Sequence, residues 1–318
     1  MRRCALLALL LFACRGRESA ALPPIILISV DTFRSDRLGV VTPRLDAFRR
    51  DAVTFERAYS HSPLTLPSHA TILSGVLPAE HGVRDNVGFR MKNVPRLPAQ
   101  LKTRGYTTAG AVSAYVLRKA TGIADGFDAY DDEIDRESGD QSLGAVQRAG
   151  ARTIDMAKQW IAKRADPFFY FLHLYEPHAP YDAPEPFRSQ HPNAYDAEVA
   201  YSDALLGQFF DFLRERDLYD RALIVVLSDH GEGLGDHGED EHGIFLYREA
   251  IQVPLLVKLP HRARAGETVS TPVGLQEVTP MTSARSTIRK RSRASPRRRC
   301  TARRGIRVFT SAGAICIR

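Results

Sequence analysis

Four residues from three distant parts of the chain, Asp31, Thr65 and the pair Asp229-His230, have the types that together suit one divalent cation: two carboxylates, an imidazole and a hydroxyl oxygen. A cation on the Thr65 oxygen would lower the pKa of its hydroxyl and produce an alkoxide-like nucleophile near neutral pH. Thr65 also precedes Leu66-Pro67, a proline suited to a helix's first turn, and Leu66, Ala70, Ile72 and Leu73 fit one short helix ending at Gly75. A hydroxyl placed there faces unpaired N–H groups and the positive end of the helix dipole, which favours an anionic ligand. Taken singly, Thr65 is a helix cap and Asp31 a turn residue. The elements around them decide whether they meet.

Three apolar runs read as strands buried on both faces: Pro24 to Val30, Pro167 to Leu174 and Ala222 to Ser228. The first ends in Asp31, the second leads into His173-Leu-Tyr-Glu-Pro-His178, and the third delivers Asp229-His230. Further strands are expected over 52–59, 106–112 and 253–259, and helices over 43–51, 97–104, 145–164 and 195–216. Strands alternating with helices argue for a layered α/β sheet, whose ligand sites gather at the carboxyl ends of the strands.

The formal charge of +7 does not argue for nucleic acid. Twelve of the 44 Lys and Arg lie in 281–318, which has no Asp or Glu, so the rest of the chain sets 32 basic against 37 acidic residues. That tail has few apolar residues and is expected to be disordered, either as an electrostatic arm or as the product of a shifted reading frame. The four cysteines, Cys4, Cys14, Cys300 and Cys316, leave the region between with no disulfide framework and no thiolate site. Arg2 and Arg3 precede the apolar run Ala5 to Ala13, too short to cross a bilayer and read as a secretory signal. Leu11-Phe-Ala-Cys14 is similar to a bacterial lipobox. Residues 1–21 are therefore expected to be a lipoprotein signal peptide and tether, placing an exported, periplasmic protein on the outer membrane through a lipid anchor at Cys14. Residues 22–280 form the expected catalytic domain and 281–318 the tail.

The clusters resemble the sulfatase family of the alkaline phosphatase superfamily, in family order from about residue 24 to 260. The matching pieces are Asp31 with Arg34 and Asp36-Arg-Leu-Gly39, Pro67-Ser68, Ser74-Gly75, His81-Gly82, Glu176-Pro-His-Ala-Pro-Tyr181, Ser228-Asp-His-Gly-Glu232 and Val253-Pro-Leu255. The resemblance implies an alkaline-phosphatase-like α/β/α fold around a central, mostly parallel mixed sheet, here expected to lack its C-terminal subdomain. It also implies that Asp31, Asp229 and His230 bind the metal together with Thr65, that Asn86, His178 and His242 line the anion pocket, and that His178 or His242 protonates the leaving oxygen. Arg34 and Asp36 are expected to brace the site, His173 to be a satisfied strand-end histidine, and His237, Glu239, Asp240 and Glu241 to form a solvated loop.

The chain departs from the family where sulfatases carry Cys or Ser in Cys/Ser-x-Pro-x-Arg for oxidation to formylglycine. Here the pattern reads Thr65-Leu-Pro67-Ser-His69, so no formylglycine is expected, and His69 is grouped with the substrate-binding residues. The family's lysine after the Asp-His pair is replaced by His242. A threonine nucleophile resembles the phosphodiesterase and phosphoethanolamine-transferase branches, and the ligand set favours Zn²⁺ or Mn²⁺, with Ca²⁺ admissible. The expected substrate is a small-molecule, glycan-linked or lipid-linked anionic ester, with phosphate diesters or phosphonates ahead of sulfate. Two alternatives stand beside this: a true sulfuric ester hydrolase of the arylsulfatase kind, and a truncated lipoprotein that binds metal or glycan without turnover.

Overall fold

A computed structural model of the chain describes residues 22–135, 144, 146–165 and 167–283. The expectations for 1–21 and Cys14, and for the tail of 281–318 from 284 onward, lie outside the described residues, whereas Met281, Thr282 and Ser283 of that tail are helical rather than disordered.

The apolar run before Asp31 forms β1 (Ile25–Val30), buried at every position. Its side chains alternate between two apolar clusters, Ile25 and Leu27 in one, and Ile26, Ile28 and Val30 in the other. A strand reads as continuously apolar when both of its faces are covered in this way. After it come α1 (Pro43–Asp51), β2 (Val53–Phe55), β3 (Ala58–Tyr59), α2 (Thr65–Ser74), α3 (Pro78–His81), α4 (Leu97–Lys102), β4 (Thr107–Ala111) and β5 (Ala129–Asp131). The second half continues with α5 (Gly150–Ile161), β6 (Phe168–Leu174), α6 (Phe187–Gln190), α7 (Ala194–Glu215), β7 (Leu223–Leu227), α8 (Arg248–Ile251), β8 (Gln252–Val253), β9 (Leu255–Lys258), β10 (Thr268–Val269), β11 (Val273–Gly274) and α9 (Val278–Ser283).

Among the described residues the strands make an eight-stranded sheet in the order β10-β2-β9-β7-β1-β6-β4-β5 and a small sheet β11-β3-β8. From β7 to β5 the main sheet is parallel, and β9 runs antiparallel to both β7 and β2. One face is covered by α1, α5 and α7, through Phe48, Ile154, Phe209 and Phe210. The other is covered by α2 and α4, through Leu66, Ile72, Leu97 and Leu101. The result is a helix–sheet–helix sandwich with a mostly parallel centre.

Three expected elements differ. The strand over 52–59 is split, β2 joining the main sheet and β3 the small one, and the strand over 253–259 splits in the same way. Pro254 marks the second break, since it has no N–H to continue a ladder. The helix expected from 145 begins at Gly150, because the chain just before it pairs with the strand side: Tyr115 donates to Val146 O and Arg148 to Ser113 O.

Between α1 and α7, Phe48 packs on Phe210, rings stacked at 4.7 Å and 12°. Phe48→Ala is expected to cost about 3–5 kcal/mol in urea unfolding, whereas Val40→Ala on the surface should change stability by less than about 0.5 kcal/mol.

Candidate active site

Register brings the first components together. β1 lies between β6 and β7, with Ser29 opposite His173 on one side and Leu227 on the other. Asp31 and Asp229 therefore leave the sheet on adjacent parallel strands, ~4.8 Å apart. Asp31 still donates its N–H to Leu174 O at 3.0 Å, which anchors the carboxylate at the strand exit. Ser228 ties the two exits, its Oγ accepting the Phe33 N–H at 2.9 Å and donating to His230 O at 2.6 Å. Gly231 is required by space: a Cβ there would stand 1.8 Å from Glu249 O.

Thr65 arrives from the other cluster, as the first residue of α2, whose ten residues are all buried. The helix closes at Gly75 in the left-handed region at φ 74°, where its N–H reaches Thr71 O. Its first turn differs from expectation. The Leu66 N–H is capped by Asn86 Oδ1 at 2.8 Å, Pro67 has no N–H, and the Ser68 N–H bonds Leu64 O at 3.1 Å. Only the N–H of Thr65 is left in that turn for an anion, so the helix terminus is not the broad anion cradle its position suggested. Asn86 has its carbonyl oxygen on the helix and its amide NH₂ to offer.

At the centre, one ligand atom from each of Asp31, Asp229 and His230 lies within 4.8 Å of the others. His230 donates Nδ1–H to Gly231 O at 2.9 Å, so Nε2 carries the lone pair. That nitrogen faces Thr65 Oγ1 at 3.3 Å, Asp229 Oδ2 at 3.3 Å and Asp31 Oδ1 at 3.5 Å. All four residues are 0 % exposed, and Asp31 Oδ1 and both Asp229 oxygens lack a hydrogen-bond partner. Lone pairs converging on one point away from water repel one another unless positive charge sits among them. The residues present thus fit a divalent cation. Burial accordingly lifts Asp31 to about 8, and lifts Asp229 well above the carboxylate range with Asp31 adding to the effect.

A second layer holds these ligands. His173 accepts the Ser113 N–H at Nδ1, so its Nε2–H donates to Asp31 Oδ2 at 3.1 Å. Burial lowers His173 to about 3, keeping the ring neutral for that role. His69 corrects an expectation. It is fully buried, with Nδ1–H on Thr65 O at 2.8 Å and near Asp229 Oδ2 at 3.4 Å, while Nε2 accepts from Ser29 Oγ at 2.9 Å. No ring nitrogen is left for substrate, and His69 braces the helix of Thr65 instead. Arg34 bonds Asp36, Asp236 and the Glu232 and Gly233 carbonyls, which pins the loop after β7.

Nearer the surface, His242 lies against His230 with ring centroids at 4.4 Å, and His178 meets His242 at 5.1 Å, edge to face. His242 Nδ1 is held by Glu232 Oε1 at 2.9 Å, and Glu232 also accepts from Tyr181 OH. Burial alone would lower His242, but the bond and charge of Glu232, with Asp31 and Asp229 beyond, raise it above the ordinary histidine range. Burial and the neighbouring His242 take His178 down to about 4. Glu232 was visible in sequence only as a motif letter. Its full burial beside a histidine ten residues on was the missed signal. Glu239, expected in solvent, is 9 % exposed and accepts the Ile244 and Phe245 N–H groups, so it shapes the loop carrying His242.

The profile of the Sulfatase family matches residues 23–284. The chain belongs to the sulfatase family. This sulfatase-family chain is 25 % identical over 308 residues to an ulvan-active sulfatase of Formosa agariphila, covering 81 % of this chain and 60 % of that protein. It is 22 % identical to an arylsulfatase of Clostridium perfringens, over 81 % of this chain and 73 % of the relative. Among solved structures, the phosphonate monoester hydrolase of Agrobacterium radiobacter superposes with a TM-score of 0.68 at 20 % identity, covering 81 % and 72 % of the two chains. The fold is alkaline-phosphatase-like, and the sulfatase-family chain spans about 60 % of the length of the first of these relatives.

A pH dependence follows. A carboxyl raised in the folded state above its unfolded value adds stability that is complete below the unfolded pKa and lost as pH rises through the folded one. For Asp31 that window runs from 3.8 to about 8 in the metal-free protein. Zn²⁺ or Mn²⁺ added to chelator-treated protein should therefore raise the melting temperature more at pH 8 than at pH 5, with proton release on binding. Asp229→Ala should abolish the shift, and a shift retained in that variant would place the cation elsewhere.

Proposed function

We propose that the protein is a metal-dependent hydrolase or phosphoryl transferase of anionic esters, with Thr65 as nucleophile and phosphate diesters or phosphonates preferred over sulfate esters. The observation that carries this reading is the position of Thr65 Oγ1, 3.3 Å from His230 Nε2 beside two buried carboxylates with open oxygens. A divalent cation held by Asp31, Asp229, His230 and the Thr65 hydroxyl would supply positive charge that favours the alkoxide form of Thr65 and the charged oxygens of the ester. The protein's own groups do the rest. His69, bonded to Thr65 O, and Ser68 Oγ, donating to Asp229 O at 2.8 Å, hold nucleophile and carboxylate in fixed relation. His242, aligned by Glu232 and raised in pKa, is the stronger candidate to protonate the leaving oxygen, while neutral His178 lines the pocket. Asn86 contributes its amide NH₂ from the rim.

Threonine supports the preference for phosphorus, because oxidation of its secondary alcohol cannot give an aldehyde. The named sulfatase relatives support a second reading, hydrolysis of sulfate esters. We also propose export and lipid anchoring at Cys14, testable by loss of membrane fractionation in Cys14→Ala.

On aryl substrates, phosphodiester and phosphonate turnover should exceed sulfate turnover, and Thr65→Ala should lose at least ~10³-fold in kcat. A clear sulfate preference would move the assignment to the second reading, and full activity in Thr65→Ala would remove the nucleophile. His242→Gln should slow alkyl esters by ~10²-fold or more and nitrophenyl esters far less, since a good leaving group needs little protonation.

A further inference from the structure

The turn that carries the chain away from Asp31 is bent against the preference of its own residue. Thr32 has φ 52° and is, among the described residues, the one β-branched side chain at positive φ. That region crowds a branched Cβ and is ordinarily left to glycine or asparagine. Nothing at the side chain offsets the strain, because Thr32 is 0 % exposed and its Oγ1 has no hydrogen-bond partner. A conformation of this kind persists where the surrounding structure over-determines it.

Backbone contacts on either side of Thr32 do so here. The hydroxyl of Tyr195, buried in the first turn of α7, donates to Thr32 O at 2.7 Å and accepts the Arg34 N–H at 2.9 Å, so one phenol oxygen closes the turn. Ser228 Oγ, at the exit of β7, accepts the Phe33 N–H at 2.9 Å, and the Asp31 N–H is fixed on Leu174 O at 3.0 Å. Each residue from Asp31 to Arg34 is thus pinned through its backbone. Inside the turn, the Thr32 N–H favours the charged form of the Asp31 carboxylate. Relaxation of Thr32 to negative φ would redirect the chain between Asp31 and Phe33, and with it the aim of that carboxylate.

We infer that Tyr195 is a positioning residue for the metal centre: its hydroxyl holds Thr32 in the left-handed region and thereby keeps Asp31 aimed at the point it shares with Asp229 and His230. The inference rests on the proposed cation at those three residues. It makes the phenol necessary only while residue 32 is strained. Glycine takes φ 52° with no Cβ to crowd, so beside a glycine the clamp has little left to do.

Competition for Zn²⁺ between a chromophoric chelator and the metal-stripped full-length protein measures cation affinity without turnover. The proteins compared are the wild type, Tyr195→Phe, Thr32→Gly and the double variant. Phenylalanine keeps the buried ring and removes only the hydroxyl. Tyr195→Phe should weaken Zn²⁺ binding about tenfold or more, as loss of an outer support of a metal ligand does. Thr32→Gly should bind within about twofold of the wild type, and the double variant within about threefold of Thr32→Gly, a coupling that independent sites do not show. Wild-type affinity in Tyr195→Phe, with only its melting temperature lowered, overturns the inference by leaving the phenol a purely structural part. A double variant as weak as Tyr195→Phe overturns it too, because the hydroxyl would then act by some route other than Thr32. A tenfold loss in Thr32→Gly alone overturns it by assigning the cation to the Thr32 hydroxyl. Should Tyr195→Phe fail to fold, the comparison of Thr32→Gly with the double variant still decides, equal affinities being expected and a tenfold difference overturning the inference. A wild type that binds no Zn²⁺ overturns the cation site itself, and the inference with it.

Discussion

Two carboxylates buried side by side without hydrogen bonds on three of their four oxygens are the constraint around which this molecule is arranged. Asp31 and Asp229 leave adjacent parallel strands, so strand spacing alone forces them together. Their repulsion cannot be relieved by water, because both are fully buried. It calls for positive charge at a point also faced by the lone pair of His230 and the hydroxyl of Thr65. A site of this kind is poised toward a cation before any ligand arrives, at a cost to the metal-free fold.

The surrounding residues make sense as devices that hold this arrangement still. His173 behind Asp31, and His69 bonded to Ser29 behind Thr65, are buried polar supports, with tautomers set by what each nitrogen meets. Ser228 couples the two strand exits, and Gly231 admits the backbone of Glu249 where a side chain would not fit. Toward solvent the environment changes sign. Glu232 draws His242 toward protonation while His178 is kept neutral, so two neighbouring imidazoles have opposite tendencies. A pair pushed apart in this way suits a proton donor set beside a non-donating wall.

Much of this was legible in the residues themselves. Strands buried on both faces declare themselves as unbroken apolar runs, so β1, β6 and β7, with Asp31 and Asp229-His230 at their exits, could be read directly. The start of α2 at Thr65 and its end at Gly75 followed from proline and glycine chemistry. Short elements were less legible: the breaks within 52–59 and 253–259 depend on which sheet each half joins, and Gly150 starts α5 because the chain before it is held by backbone pairing.

What the sequence by itself determined was the inventory: an α/β sandwich, its strand exits, and a set of residues able to bind a cation and present a hydroxyl. Only the tertiary structure decided which way each of those groups faces. His69 stands four residues after Thr65, yet its nitrogens are turned inward to Thr65 O and Ser29, and Asn86 spans twenty residues to cap the helix of Thr65. Glu232 and Glu239, ordinary acids in the chain, became a partner for His242 and a brace for its loop through burial. The reason is that a hydrogen bond has direction as well as chemistry. Spacing along the chain specifies which donors and acceptors exist, while their orientation is set by the packing of elements that lie far apart in sequence.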